Sequence, residues 1–159
     1  MPEADYFPVG NFRYQLVFAE ASLKSSGGIP DKQVARGAFS ECSGLEATME
    51  PRTIREGGFN YGVHQRAGTV TFATVILRRG MTFNRDLWDW FKEATLLGNY
   101  TQRMNVSIRH LDIDGETVVR TWKLERALPV KFKSADLNAK SGEVAIEELH
   151  LVHEGLNLA

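Results

Sequence analysis

The sequence predicts a mainly β (α+β) fold, an antiparallel β-sandwich or open barrel of about six to seven strands with one helix. Residues 11–20 and 103–112 alternate apolar and polar side chains, the period of a half-buried strand. Residues 70–77 are rich in β-branched and aromatic residues and place apolar side chains on both faces, so they require cover on both sides. Apolar side chains recur with helical spacing in residues 84–97. We therefore expect a single domain over residues 1–159.

The first half of the chain contains two polar segments and one long strand region. Residues 1–10 are polar and contain proline, which predicts an N-terminal arm, and residues 21–37 have the composition of an extended loop. Residues 38–56 include alternating positions, but Pro51 interrupts them and predicts a bulge or an edge. The glycine-rich residues 57–68 carry aromatic side chains, which indicates either a contact surface or a self-packed hairpin tip.

The predicted helix follows the strand that Arg78, Arg79 and Gly80 end. Asn84 and Asp86 are placed to cap its N-terminus and to interact with its dipole, and Gly98 is a typical stop. We expect three of its apolar side chains to pack the helix against the sheet: Leu87, Trp88 and Phe91. Trp90 is expected either to join this contact or to face an outside partner.

The second half of the chain predicts further antiparallel strands. The dipeptide Asp114–Gly115 predicts a two-residue hairpin turn, because both positions tolerate a positive φ. Strands are expected on either side of it and later, at residues 103–112, 118–125, 130–133 and 143–154. In the last strand the apolar phase changes between Ile146 and Leu149, which predicts a bulge near Glu147 and Glu148.

No residue pattern in the chain predicts catalysis or a cofactor. His150 and His153 are three apart on a predicted strand, so they point to opposite faces and are poorly placed to share a metal ion. The segment around Asp112–Gly115 fails the calcium-loop signature, and no nucleophile motif surrounds Cys42. We predict a protein that is not an enzyme and uses no cofactor or metal.

Composition and charge limit the partners and the cellular compartment that we expect for the chain. The formal net charge of −1 lacks the basic excess that a nucleic-acid-binding surface normally shows. The single cysteine is consistent with a reducing compartment. Residues 1–10 lack the features of a signal peptide, and no stretch approaches the ~20 apolar residues of a membrane span, so we expect no membrane insertion.

Long strands, a strand that is apolar on both faces, and aromatic loops without catalytic residues have one common explanation. They fit a subunit whose sheet continues into that of a neighbour, because closing strands around a ring removes free edges. A heterologous surface between rings would then propagate a tube.

Several segments of the chain resemble the tube proteins of contractile phage tails and of extracellular contractile injection systems. They occur in the same order and read REGG, VILRRGM, DLWDWFKEA, WKL, RALPVKF, SADLNA and EVAIEELHLVHEGL. The resemblance covers residues 12–156. It implies hexameric rings that stack into a hollow tube for DNA or effector proteins, in contact with other tube rings, sheath and baseplate or spike proteins. It also implies assembly in the bacterial cytoplasm, followed by incorporation into a virion or a phage tail-like particle.

The resemblance suggests roles for two groups of residues. At subunit or ring interfaces we expect Glu56, Phe59, Tyr61, His64, Gln65, Arg66, Arg78 and Arg79, with the arginines pairing to carboxylates such as Glu143 or Glu147 across the interface. Facing the lumen we expect Thr48, Glu50, Arg52 and Thr53; ordinary solvent exposure is the alternative for these four.

Three alternatives remain open at this point. The chain could be a tube-initiating adaptor that joins the tube to the baseplate or spike, and the long loop at residues 21–37 favours this role slightly. It could belong with the ring-forming tube proteins of type VI secretion, which share the architecture. From a different class, it could be a monomeric β-barrel that binds a ligand in an apolar interior cavity.

Overall fold

The computed structural model describes residues 14–20, 39–83, 85–96, 103–140 and 142–159. The strands before the helix are β1 Tyr14–Glu20, β2 Phe39–Ser43, β3 Ala47–Met49, β4 Arg52–Ile54, β5 His64–Arg66, β6 Val70–Phe72 and β7 Val75–Gly80. The helix α1 is Asp86–Phe91, continued by a π-helical turn, Lys92–Leu96. The later strands are β8 Met104–Leu111, β9 Val118–Lys133, β10 Ile146–Val152 and β11 Gly155–Leu158. The predictions for residues 1–10, residues 21–37, Asn84 and Gly98 lie outside the described residues.

The long strand β9 joins two antiparallel sheets. Its first half pairs with β8 and β11, and its second half pairs with β10. Between the halves, Arg126 has a φ of 51°, and its N–H donates to Asn105 Oδ1 at 3.1 Å. Because two residues of β9 there oppose one residue of β8, the strand bends and passes from one sheet to the other. The separate strands predicted at residues 118–125 and 130–133 are therefore one continuous strand.

The two sheets enclose the core. The first sheet contains β1, β8, β11 and the start of β9, and the second contains the end of β9, β10, β7 and β2. Buried apolar side chains from both sheets and from α1 form one cluster, which includes Leu16, Phe18, Val75, Leu77, Leu87, Trp90, Met104, Val106, Ile108, Leu124, Leu149 and Leu151. Fully burying one such side chain contributes about 1.5–3 kcal/mol. The predicted mainly β fold with one helix is confirmed, and it is not a closed barrel.

The strand predicted at residues 70–77 is two strands. β6 ends at Phe72, β7 begins at Val75, and only β7 joins the sandwich. Within β7, Val75 and Leu77 point into the core, whereas Ile76 on the other face is half-buried. The described chain does not cover Val70 of β6, which is exposed, and on the outer face of β7 it half-buries Ile76. Cover of Val70 by a neighbouring subunit stays a prediction.

The structure also adds detail to the predicted helix start and differs from the predicted hairpin turn. The described helical segment begins at Asp86, whose carboxylate accepts the N–H of Leu87 at 2.9 Å, and Arg85 at the N-cap makes no side-chain capping bond. The predicted two-residue turn at Asp114–Gly115 is a longer loop, closed by the Asp112 N–H donating to the Thr117 carbonyl at 2.9 Å. Gly115 does take a positive φ, 77°, within this loop.

Candidate assembly surfaces

A long hairpin, residues 47–72, extends from the sandwich; we call it the arm. In it β3 pairs with β6 and β4 pairs with β5, and among the described strands neither pair joins the sandwich sheets. All residues of β3, β4 and β5 are exposed. The break between β3 and β4 falls at Glu50–Pro51, as the proline predicted.

Glycines allow close backbone contacts at two places: at the root of the arm and at the break between β3 and β4. At the root, Gly44 has a φ of +88°, and a Cβ there would lie 2.1 Å from the carbonyl oxygen of Thr74. At the break, a Cβ on Gly68 would lie 1.8 Å from the carbonyl oxygen of Glu50. Because only glycine fits at such distances, these positions determine how the arm leaves the sandwich and how it bends.

The tip of the arm, residues 54–66, has a defined arrangement of side chains. His64 Nε2 lies 2.8 Å from the Glu56 carboxylate, and the His64 ring stacks on Phe59 with centroids 5.0 Å apart. Beside them, Tyr61 is 98% exposed. The exposed contact between His64 and Glu56 contributes little stability by itself. Tyr61 presents aromatic surface that nothing in the described chain covers.

Most of the residues proposed for interface and lumen lie on this one hairpin. The tip brings together Glu56, Phe59, Tyr61, His64, Gln65 and Arg66. The positions proposed for the lumen lie nearer the root, on β3, on β4 or between them, and all are exposed: Thr48, Glu50, Arg52 and Thr53. The Thr53 hydroxyl donates to Gln65 Oε1 at 3.3 Å, so the two groups touch.

Arg78 lies on the outer face of the second sheet between two carboxylates of its own chain. Its Nη1 is 2.8 Å from Glu41, and its Nε is 2.9 Å from Glu148, which also contacts His150. Hydrogen bonds from His150 and Arg78 lower the pKa of Glu148. The row Glu41–Arg78–Glu148–His150 therefore forms a paired polar strip across β2, β7 and β10.

Arg79 is inside the subunit, which corrects its prediction as an interface residue. It is 1% exposed, its Nη2 lies 2.7 Å from Asp86 Oδ1, and its Nε donates to the Glu147 carboxylate. Burial alone would lower the pKa of Arg79, but the hydrogen bonds to Asp86 and Glu147 outweigh it, and the net shift is upward. The predicted Arg79–Glu147 pair thus forms within one chain, and it ties β7, β10 and α1 together.

Glu147 also explains the phase change in the last strand. Glu147, Leu149 and Leu151 all face inward, while Ile146 is exposed, so the inward phase is constant. The register does shift, but between His150 and Leu151 rather than at Glu147–Glu148. A usable signal was present in the sequence: Arg79 is in phase with Val75 and Leu77, as Glu147 is with Leu149 and Leu151, and two inward opposite charges should pair.

The helix residues proposed for the sheet contact lie at different depths. Leu87 is buried in the core, whereas Trp88 and Phe91 are half-buried and pack their rings around Phe132 of β9. Trp90, at 2% exposure, is the deepest aromatic of the helix, and its ring meets Phe18 edge-on at 5.8 Å. It therefore does not face an outside partner.

An open cup lies where residues 134–145 connect β9 to β10. It encloses about 750 Å³, with Arg78 and Glu148 among its lining residues. Three exposed apolar side chains also line it: Leu137, Val144 and Ile146. The Met81 N–H donates to the Ala145 carbonyl at 2.8 Å, which attaches the end of this loop to the chain just after β7.

The described chain also contains potential metal ligands and one cysteine, Cys42. In the part of the chain that the structure describes, no three metal-ligating side chains come together, and no helix is long and apolar enough to cross a membrane. Burial, reinforced by Glu41, raises the pKa of the Cys42 thiol to about 11. Because the thiolate is the reactive form, Cys42 is a poor nucleophile at neutral pH.

A two-sheet sandwich that carries an exposed hairpin and a separate surface cup has the features of a structural assembly subunit. Residues 10–157 match the family model described as "T4-like virus tail tube protein gp19". Because the match spans nearly the whole sequence, the chain belongs to this tail tube protein family. No curated protein sequence matches the chain.

Solved structures share the fold over almost all of the chain. A chain of the anti-feeding prophage (AFP) baseplate, 6-fold symmetrised, is 29% identical, with a TM-score of 0.76 over 96% of both chains. A chain of the PVC sheath–tube complex in the extended state, an extracellular contractile injection system, is 18% identical, with a TM-score of 0.79 over 100% of this chain and 98% of that one. A chain of the AFP tube terminating cap is 19% identical, with a TM-score of 0.74 over 96% and 91%.

Proposed function

We propose that the chain is a subunit of the inner tube of a contractile tail or injection system, and that hexameric rings of it stack around a hollow lumen. The main support for this proposal is the exposed arm. A two-stranded hairpin is at best marginally stable in water by itself, and the arm adds Ile54, Phe59 and Tyr61 as exposed apolar side chains. A neighbouring subunit would supply the surface that stabilises it.

The sheet edges support ring formation. In the order of the described strands, β1 and β2 lie at the two ends, so each has one side without a strand partner. Pairing such edges between neighbours in a ring would satisfy their backbone groups and remove a hazard for aggregation. The polar row Thr48, Glu50, Arg52 and Thr53 would then face the lumen, where mixed polar side chains let DNA or effector proteins pass without adhering.

The other partners would be further components of the same tail or injection system. Sheath would enclose the tube, and baseplate or spike proteins would close its end. Assembly would take place in the bacterial cytoplasm before the subunit becomes part of a virion or a released or membrane-docked particle. The chain would act without cofactor or catalysis.

A second role, an adaptor ring between tube and baseplate, is supported by the 29% identity to a chain of the AFP baseplate. Of the three structures compared above, that one has the highest identity. An adaptor and a main tube subunit would share the ring and differ in whether rings of this chain stack on each other.

Electron microscopy and mass photometry of the purified chain over a concentration series test both roles. We expect long hollow tubes for a main tube subunit, and single rings, with or without another tail component, for an adaptor. A protein that stays monomeric at high concentration and with tail partners added would contradict both roles and favour the ligand-binding alternative. Tyr61→Ser is expected to impair assembly, and Ile113→Ser, an exposed position outside the arm, serves as its control.

A further inference from the structure

The arm and the cup lie at opposite ends of strand β7. The arm returns to the sandwich at β6, immediately before Val75, the first residue of β7. The cup lies at the other end, where Met81 follows β7 and hydrogen-bonds to Ala145. β7 has six residues, and the five steps along it at 3.2–3.4 Å each separate its two ends by roughly 16–17 Å. The arm thus leaves the sandwich at the end of β7 that lies away from the cup, which favours a contact between copies over one within a copy.

The two surfaces are complementary in shape and polarity. The tip presents the aromatic side chains Phe59 and Tyr61, and Tyr61 projects almost fully into solvent. The cup presents an apolar rim, on which Leu137 is 91% exposed. Its volume of about 750 Å³ falls within the 300–1,000 Å³ typical of sites that hold a ligand-sized group. An aromatic side chain that enters the cup would cover apolar surface on both partners.

The formal charges are also complementary. The tip, residues 54–66, carries two arginines and one glutamate, a formal charge of +1. The cup is lined by two basic and three acidic residues, a formal charge of −1: Arg78 and Lys133 against Asp136, Glu143 and Glu148. Opposite charge on the two surfaces favours encounter and sets the orientation of docking.

We propose that the arm tip of one copy, with Tyr61 leading, docks into the cup of a second copy in the adjacent ring. The contact is heterologous, since different surfaces meet, and such a contact between adjacent rings can repeat along the tube without closing. This assignment rests on the proposed tube function and identifies the receptor for the arm.

Disulfide trapping between two variants of the full chain tests the contact directly. Both carry Cys42→Ser; one adds Asn60→Cys, an exposed tip position that leaves the neighbouring Tyr61 in place, and the other adds Leu137→Cys. The two variants are mixed, assembled and mildly oxidised. A disulfide needs Cα atoms within roughly 7 Å, so we expect a mixed disulfide only if tip and cup meet. The matched control replaces Leu137→Cys by Ile113→Cys, which is 74% exposed on the β8–β9 loop. We expect at least about tenfold more mixed disulfide than in the control.

Charge placed on the rim gives a second readout without a cross-link. Leu137→Asp should leave rings intact but reduce the fraction of stacked rings by about tenfold or more, the usual loss when a central contact is removed. Ile113→Asp should stack like the unsubstituted chain.

The outcomes separate the two proposals. Tubes that form without the mixed disulfide, or that stack normally with Leu137→Asp, would overturn the docking contact and leave the tube function standing. A mixed disulfide confined to single, unstacked rings would overturn its placement between rings. An unsubstituted chain that never assembles would overturn both proposals.

Discussion

The sandwich and the arm use strands in opposite ways. In the sandwich, strands such as β7 and β10 place Leu77 and Leu149 in the core and pair even their inward charges, Arg79 with Glu147. In the arm, β3, β4 and β5 leave every side chain exposed, and the hydrogen bond between Glu56 and His64 is open to water. Burial within one subunit therefore accounts for the sandwich, whereas we propose that a neighbouring subunit stabilises the arm.

This contrast predicts that substitutions in the sandwich lower the free energy of unfolding, whereas substitutions in the arm lower assembly. The largest effect on stability is expected at Arg79. Arg79→Met leaves the carboxylates of Glu147 and Asp86 buried without their cation, so the free energy of unfolding should fall by about 3–5 kcal/mol. Denaturant unfolding of monomeric protein measures it.

The control for this loss is Arg78→Met, since Arg78 has two carboxylate partners but is much more exposed. Its loss should be much smaller than that of Arg79→Met, because solvent screens the Arg78 charge. Equal losses for the two variants would contradict the distinction between a buried and a surface ion network.

Glycine substitutions should give the next largest loss of stability. The loss should be greater at the root of the arm than at its tip. Gly44→Ala meets both a positive φ and a carbonyl oxygen at 2.1 Å, so we expect a loss of about 1–3 kcal/mol. Gly58→Ala has a φ of +91° but open space around it, and Gly57→Ala has neither constraint. Thermal unfolding should rank the losses Gly44, then Gly58, then Gly57; a Gly58 loss as large as that of Gly44 would contradict the tight root.

A pH-dependent effect of smaller size is expected at His153, whose ring lies against Phe72 at the root of the arm, 5.1 Å between centroids. Burial lowers the pKa of His153 below its ordinary 6.5, although a hydrogen bond to the Gly155 carbonyl partly opposes this. Below pH 6.5 the unfolded chain therefore binds more protons than the folded one, and stability falls as the pH falls.

Because the ring is partly open to solvent, we expect this loss to be at most about 1 kcal/mol between pH 7 and pH 5. His153→Gln should remove that part of the pH dependence while leaving stability above pH 7 nearly unchanged. An unaltered pH profile in the variant would show that other groups cause it.

The smallest effect on stability is expected in the arm tip. Tyr61→Ser alters a side chain that makes no described contact with the core, so the free energy of unfolding should change by less than about 0.5 kcal/mol. Assembly, followed by mass photometry, should be strongly reduced in the same variant. A large loss of stability in the monomer would instead place Tyr61 in the fold.

Local patterns predicted much of the fold and little of the site. Met104, Val106 and Ile108 were predicted to share one face from alternation alone, and all three are buried. Arg79 was predicted at an interface, but it is buried. Its burial depends on pairing with Glu147, 68 positions away, and local patterns do not specify such a contact. The interface and lumen positions on the arm stay predictions, because they concern a neighbour that a single chain does not contain.

The sequence by itself determined the alternating strands, the helix and the break at Pro51. These features follow from steric limits and side-chain period, which act between residues that are close along the chain. The tertiary structure decided that β9 joins two sheets through Arg126, that Arg79 is buried between carboxylates, and that arm and cup lie at opposite ends of β7. Each of these depends on register and burial between distant segments, and residue order alone does not specify those contacts.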